Sequence, residues 1–282
     1  MNVVVLLLLA ALPATAVETR WIEGTVRGFP VVRDADGRQI GEGTLTQYIE
    51  DGKLHAQGIF DLRDGRRVQE DTVLEQRPRL RQLFWTWKET RGDQVLREFS
   101  VDLTAGHATA RKRSGDGVDT WDDHLDGTRD AFAGVGFMYA VRNLTERLDK
   151  GEKIELTAVV FTTKPRAVTV SISRDQVGEL TMGGRLLPAE RYVIHPEVPW
   201  IARLFVKAPD QYLWDCRTCP RLARLRGQAW TTRPLASSAW VLVSTSSGHT
   251  GKQLGHRMAI APLGAPPFRS PRRISSLVLT AM

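Results

Sequence analysis

Two cysteines in 282 residues cannot cross-brace a chain of this size, which excludes the disulfide-dense mini-domain class. Acidic residues are nearly missing from the last quarter. Beyond Trp214 only Asp215 remains, against ten of the 39 Lys and Arg. Residues 1–214 therefore carry a net −2 and residues 215–282 a net +9. The basic balance that in other chains points to nucleic acid belongs here to one segment, so no nucleic-acid partner is expected. Catalytic signatures are missing too: there is no Gly-x-Ser-x-Gly elbow, phosphate-cradling glycine loop or His-Glu-x-x-His. Gly134-Val135-Gly136 is not followed by the third glycine of a dinucleotide fingerprint. Neither cofactor nor metal is expected. What remains, 42% hydrophobic and 25% charged residues, is ordinary globular composition and excludes a disordered or collagen-like chain.

Val3 to Leu12 form one uninterrupted apolar run, followed by Pro13 and Ala14-Thr15-Ala16. Ten residues are half of the about twenty that span a hydrocarbon core. The run and the small-residue triplet instead fit a signal peptide over residues 1–16, cut after Ala16, although Met1-Asn2 carries no Lys or Arg. No later stretch approaches spanning length, so no transmembrane segment is expected after cleavage, and the mature protein is expected in the periplasm or secreted. No Cys follows the run to accept a lipid.

From Trp21 onward, short apolar-periodic runs alternate with turn dipeptides. Asp36-Gly37, Asp51-Gly52 and Asp64-Gly65 recur about every 14 residues, and Asp-Gly favours the positive φ angles of tight hairpins. The rhythm predicts strands over 43–49, 53–62, 80–89, 94–103, 153–162, 166–173 and 186–194. It breaks at Thr128 to Leu148, where apolar residues fall at 132, 135, 139, 141, 144 and 148. That spacing is helical, and the glycines at 134 and 136 predict a loose or late start. Long antiparallel hairpins with one helical crossover predict a mainly β (α+β) domain over residues 17–214. Its sheet is expected to be strongly curved, half-open and barrel-like, with the helix packed on it.

Beyond Trp214 this grammar gives way to Ser-, Pro- and Arg-rich sequence. Two readings stay open for 215–282: a flexible basic arm, or low-complexity sequence from a shifted reading frame. Cys216-x-x-Cys219 lies in this segment without a second Cys pair, which leaves a disulfide, a redox pair and half a zinc site undistinguished.

The densest polar cluster, Asp119 to Asp126, is expected as a solvated loop before the helix. Asp122, Asp123 and His124 offer carboxylate and imidazole for an alternative reading as an envelope hydrolase. The aromatics offer a different chemistry. Trp85 and Trp87 fall on one side of one strand, since side chains alternate with period two, and Phe132 and Phe137 fall on the helical segment. Together they form a candidate apolar, lipid-binding pocket, or they simply fill the core between sheet and helix. A third class, a structural partner in outer-membrane assembly, would show an exposed apolar patch instead.

The segments GRQIGEGTL, DGRRVQEDTVLEQ, REFSVDLTAGHA, DAFAGVGFMYAVRNL, VVFTTKPRAVTVSIS and RYVIHPEVPWIARLFVKAPDQYLW resemble an uncharacterised family of exported bacterial proteins. That family is similar in fold to the periplasmic lipoprotein-carrier superfamily, a half-open β-barrel around helices. The likeness covers about residues 20–214 and names no catalytic residue. It implies a non-enzymatic envelope protein that binds or ferries a lipid or a lipidated partner.

Overall fold

Asp51 and Gly52 take φ of 48° and 72° between Glu50 and Lys53, which pair across the strands. Two successive left-handed residues are what a two-residue hairpin needs, and Asp-Gly supplies them. The computed structural model describes residues 16–33, 38–115, 117–161, 164–182, 185–197, 210–216, 239–245, 259–261 and 274–279. The apolar run 3–12, Asp36-Gly37 and Cys219 lie outside them.

The strands are β1 (Val17–Glu18), β2 (Val26–Gly28), β3 (Val31–Arg33), β4 (Gln39–Glu50), β5 (Lys53–Leu62), β6 (Arg66–Glu75), β7 (Arg79–Arg91), β8 (Gln94–Asp102), β9 (His107–Ser114) and β10 (Gly117–His124). After β11 (Ala131–Phe132) comes the helix α1 (Gly136–Asp149), then β12 (Ile154–Phe161), β13 (Pro165–Met182), β14 (Arg185–Pro196) and β15 (Gln211–Cys216). Three more, β16 (Ala239–Thr245), β17 (Ala259–Ala261) and β18 (Ile274–Leu279), lie in the basic tail. The protein is mainly β, with antiparallel neighbours running from β10 through β9, β8, β7, β6 and β5 to β4. From β4 the ladder continues through β3, β18, β16, β15, β14 and β13 to β12. β11 then adds in parallel over two residues. Among the described residues β10 pairs only with β9 and β11 only with β12, and the sheet is not closed into a barrel.

Two expectations are corrected locally. Residues 117–124 are not a loop but a strand paired in register with β9 over all eight residues. Most of its side chains are exposed, so burial imposes no apolar alternation on them. The tail, read as devoid of strand signals, contributes β16 to β18; Ala239-Trp-Val-Leu-Val is a short apolar run without the Asp-Gly punctuation that marks the other hairpins.

α1 starts late because Gly134 sits at φ 49°, outside helical space. Its buried face, including Met138, Tyr139, Leu144 and Leu148, shares one core with Leu54 and Phe60 of β5, Leu74 of β6, Ile154 and Leu156 of β12, and Tyr192 of β14. A second cluster joins Trp85, Val101, Leu103 and Ala108 of β7 to β9 with Ala131, Ala133 and Val159. β12 therefore buries both faces, Leu156 and Ala158 in the first cluster and Val159 in the second. A strand covered on both sides needs no alternation, which accounts for the continuous run Ala158-Val-Val-Phe161.

The segment after Ala16 is strapped to the helix. Val17 is buried and pairs with Leu80, and Asn143 Oδ1 accepts from the Arg20 and Trp21 backbone N–H groups at 2.7 and 2.8 Å. Arg142 donates to Glu23. Burial pushes the Glu23 carboxyl up, against the lowering effects of Arg142 and Gln47.

Candidate functional site

β7 positions the site through one irregularity. Leu74 pairs with Gln82 but Val73 with Phe84, so the ladder between β6 and β7 skips Leu83. Strict alternation would put Gln82 and Trp85 on opposite faces. The extra residue brings Gln82, Trp85, Trp87 and Glu89 to the inner one.

Gln82 and Glu70 hold the turn that leads into α1. Gln82 Oε1 accepts from Ala133 N–H at 2.7 Å, and its Nε2 donates to Thr72 Oγ1 and to Ala133 O. Glu70 Oε1 accepts from Trp85 Nε1–H at 2.7 Å and from Val135 N–H at 2.6 Å. Burial pushes the Glu70 carboxyl above its usual range, against the two hydrogen bonds, with Asp71 adding to the rise. A carboxyl whose folded pKa is raised binds more protons folded than unfolded. Stability therefore falls as pH rises from the unfolded carboxylate value, about 4.3, through the raised folded one. Glu70→Gln keeps an acceptor for both donors and is expected to match or exceed the native stability at pH 7, with this part of the pH dependence removed. Glu70→Leu orphans both N–H groups and is expected to lose about 1–3 kcal/mol. Urea unfolding at pH 5 and pH 8 checks both.

Beyond the edge of β12 the inner face carries a shelf of rings. Trp87 stacks on Phe99 at 5.3 Å between centroids, and Phe99 on Phe161 at 4.7 Å. Trp87, Phe99 and Phe161 are each only partly buried. The cross-strand row runs Trp87, Phe99, Ala110, Trp121 from β7 to the edge strand. The next row holds Glu89, Arg97, Lys112 and Asp119.

Glu89, 3% exposed, is shared between two arginines: Arg66 Nη1 donates to Oε1 and Arg97 Nε to Oε2, both at 2.6 Å. Burial alone would raise its pKa, but the hydrogen bonds and charges of Arg97 and Arg66 outweigh it and hold the carboxyl below its usual range. This anchor sets the Arg97 guanidinium 5.1 Å over the Trp87 ring, a cation–π contact. Nε is spent on Glu89, and the terminal N–H groups of Arg97 have no partner among the described residues. The arrangement is apolar rings beside an oriented cation.

Of the four aromatics expected to line a pocket, Trp87 stands at this shelf and borders both core clusters. Trp85, on the same side of β7, is 6% exposed with its indole N–H given to Glu70. Phe132 is 1% exposed in the main core, and Phe137 packs against it at 6.1 Å. Thus Trp85 and Phe132 serve as core in this conformation, while Trp87 is accessible.

Asp122, Asp123 and His124 occupy the edge strand β10, with Asp122 and His124 on one side and Asp123 on the other. Asp122 Oδ1 lies 2.8 Å from His107 Nε2, and His124 lies 3.7 Å from Asp126, with all four side chains more than half exposed. They do not converge on one point. An open groove of about 660 Å³ over β7 to β10 is lined by polar Thr86, Ser100, Thr109 and Arg111 and by apolar Phe99 and Trp121, among others. Among the described residues no three His, Cys, Asp or Glu side chains are grouped to hold a metal, and no helix is long and apolar enough to cross a membrane.

Neither a protein-family model, nor a curated protein, nor a solved structure matches the chain. Arg97, Glu89 and Glu70 went unnoticed in the sequence, although Glu89 continues the inward alternation of Trp85 and Trp87 and so stood at a position that demanded a buried partner.

Proposed function

We propose that the protein is an exported, non-enzymatic envelope carrier for an anionic amphiphile, a lipid or a lipidated partner. Its sheet is a strongly curved, half-open barrel-like wrap around α1, as in the lipoprotein carriers its segments resemble. The acyl chain lies along Trp87, Phe99 and Phe161 and the acidic head group meets Arg97. The observation that carries this reading is the partly buried ring stack with an arginine fixed over one end. Three rings cover roughly six methylenes, which at ~0.8 kcal/mol each contribute about 5 kcal/mol. A charge-assisted hydrogen bond adds about 1.5–3 kcal/mol. The total of about 6.5–8 kcal/mol corresponds to a Kd of about 1–20 micromolar before any parting of β12 from β7 and β8. A longer chain reaches the buried Trp85 and Phe132 only by such parting.

Mass spectrometry of material extracted from protein purified out of its own envelope fraction tests the reading. An acyl-bearing anion is expected with the native protein and is lost from Trp87→Ala, while N-terminal sequencing finds Val17 first. Protein free of any such molecule, or a cytoplasmic protein beginning at Met1, contradicts it.

A further inference from the structure

The edge strand β10 is a regular, eight-residue ladder partner of β9 without a bulge or a proline. Natural edges are usually blunted by such devices or by lysine. Here Asp119, Asp122 and Asp123 are the acidic residues of the strand, and it holds no Lys or Arg. Leu125 N–H donates to Gly106 O at 2.7 Å. Hydrogen-bonded and non-hydrogen-bonded pairs alternate along an antiparallel ladder. The register of β9 and β10 then turns the backbone groups of 119, 121 and 123 toward β9. Those of Val118, Thr120, Asp122 and His124 face the free edge, where nothing among the described residues pairs with them.

We propose that β10 accepts an extended, basic segment of a partner protein as an added strand, with Lys or Arg at alternate positions facing its aspartates. Charge complementarity selects the occupant. β9 already sets Lys112 opposite Asp119, and His107, paired with His124, reaches diagonally to Asp122 at 2.8 Å, so a basic strand on the other flank gives the aspartates partners on both sides. A second copy of this chain fits badly: six aspartates would stand on adjacent strands. In the register centred on Trp121, Asp119 would face Asp123 at both ends, and like charges directly opposite are destabilising. The backbone row supplies affinity and the aspartates supply selectivity, as in other strand additions. The outer edge of β10 lies two strands from Phe99 and Arg97 of β8, and pairing along it does not depend on a ligand at the rings.

Thr120→Pro provides the test, because it deletes an outward N–H and leaves the β9 ladder whole. The full chain is titrated with a fluorescein-labelled nine-residue peptide alternating Lys and Val, read by anisotropy. Saturable binding is expected, at least tenfold weaker for Thr120→Pro and for Asp119→Asn/Asp122→Asn/Asp123→Asn, and absent for the Glu–Val peptide. Thermal melts show that the variants are folded. Should Thr120→Pro not fold, N-methylation of alternate peptide amides replaces it and must abolish binding to the native chain. Equal binding of the Lys and Glu peptides overturns the proposal, as does binding indifferent to both backbone blocks. So does a dimer in sedimentation that Thr120→Pro dissociates, since it makes a second copy the occupant.

Discussion

Gly134→Ala is expected to destabilise the protein by about 2–5 kcal/mol, a Tm decrease of roughly 5–20 °C for a domain of this size. A Cβ at this position would lie 2.0 Å from Glu70 Oε1 and 2.3 Å from Trp85 Nε1, and the backbone holds φ at 49°. Neither neighbour is the free end of a mobile side chain, because Glu70 and Trp85 are bonded to each other and Glu70 also to Val135. The methyl group must part that pair or displace the start of α1. Gly52→Ala separates the two contributions. Its φ is 72° but a Cβ there meets nothing within 4 Å, so only backbone strain of about 1–2 kcal/mol is expected. Urea unfolding of both variants gives the difference, and equal losses would mean that the turn at 133–136 yields easily.

Glu89→Ala is expected to lose about 3–5 kcal/mol, the usual cost of breaking a buried ion pair from one side. It takes the shared carboxylate from Arg66, whose side chain is 8% exposed and keeps Asp64 at 2.6 Å, and from Arg97, which loses its ion-pair partner. The native pH profile follows from the depressed pKa of Glu89. The folded state binds fewer protons there than the unfolded chain, so its contribution is complete above the unfolded carboxylate pKa, about 4.3. It disappears as pH falls through the lower folded value. Acid titration of stability should therefore be flatter below that point in Glu89→Ala than in the native chain, opposite in sign to the effect of Glu70. The same variant frees Arg97 from over Trp87 and is expected to weaken amphiphile binding as well as stability.

Most of the hairpin framework was legible because turn chemistry is local. Asp51-Gly52, with both residues at positive φ, and Asp64-Gly65, with Gly65 alone there, mark their turns in two letters, and β5 runs over the predicted residues 53–62. The late start of α1 was legible for the same reason, through Gly134. What escaped the sequence is set by contacts between distant segments. The skipped Leu83, which aligns Gln82 with Trp85, leaves no mark in a single strand's pattern. β10 escaped because an exposed edge strand needs no apolar alternation. The aromatic site was legible only in part. Trp87 was found from its alternation with Trp85. Which rings are core and which are shelf depends on where β12 ends, at Phe161, and Arg97 acquires a role only through Glu89 one strand away.

Titration of the mature chain with a fluorescent, carboxylate-bearing acyl probe tests the carrier reading most directly, with thermal melts run beside it. Saturable binding is expected, with quenching of indole fluorescence and at least tenfold weaker binding in Trp87→Ala and in Arg97→Gln. Trp85→Ala instead costs about 3–5 kcal/mol of stability, the loss of a buried aromatic. No saturable binding, or binding that Trp87→Ala and Arg97→Gln leave unchanged, would contradict the carrier reading and make the ring stack part of the core alone.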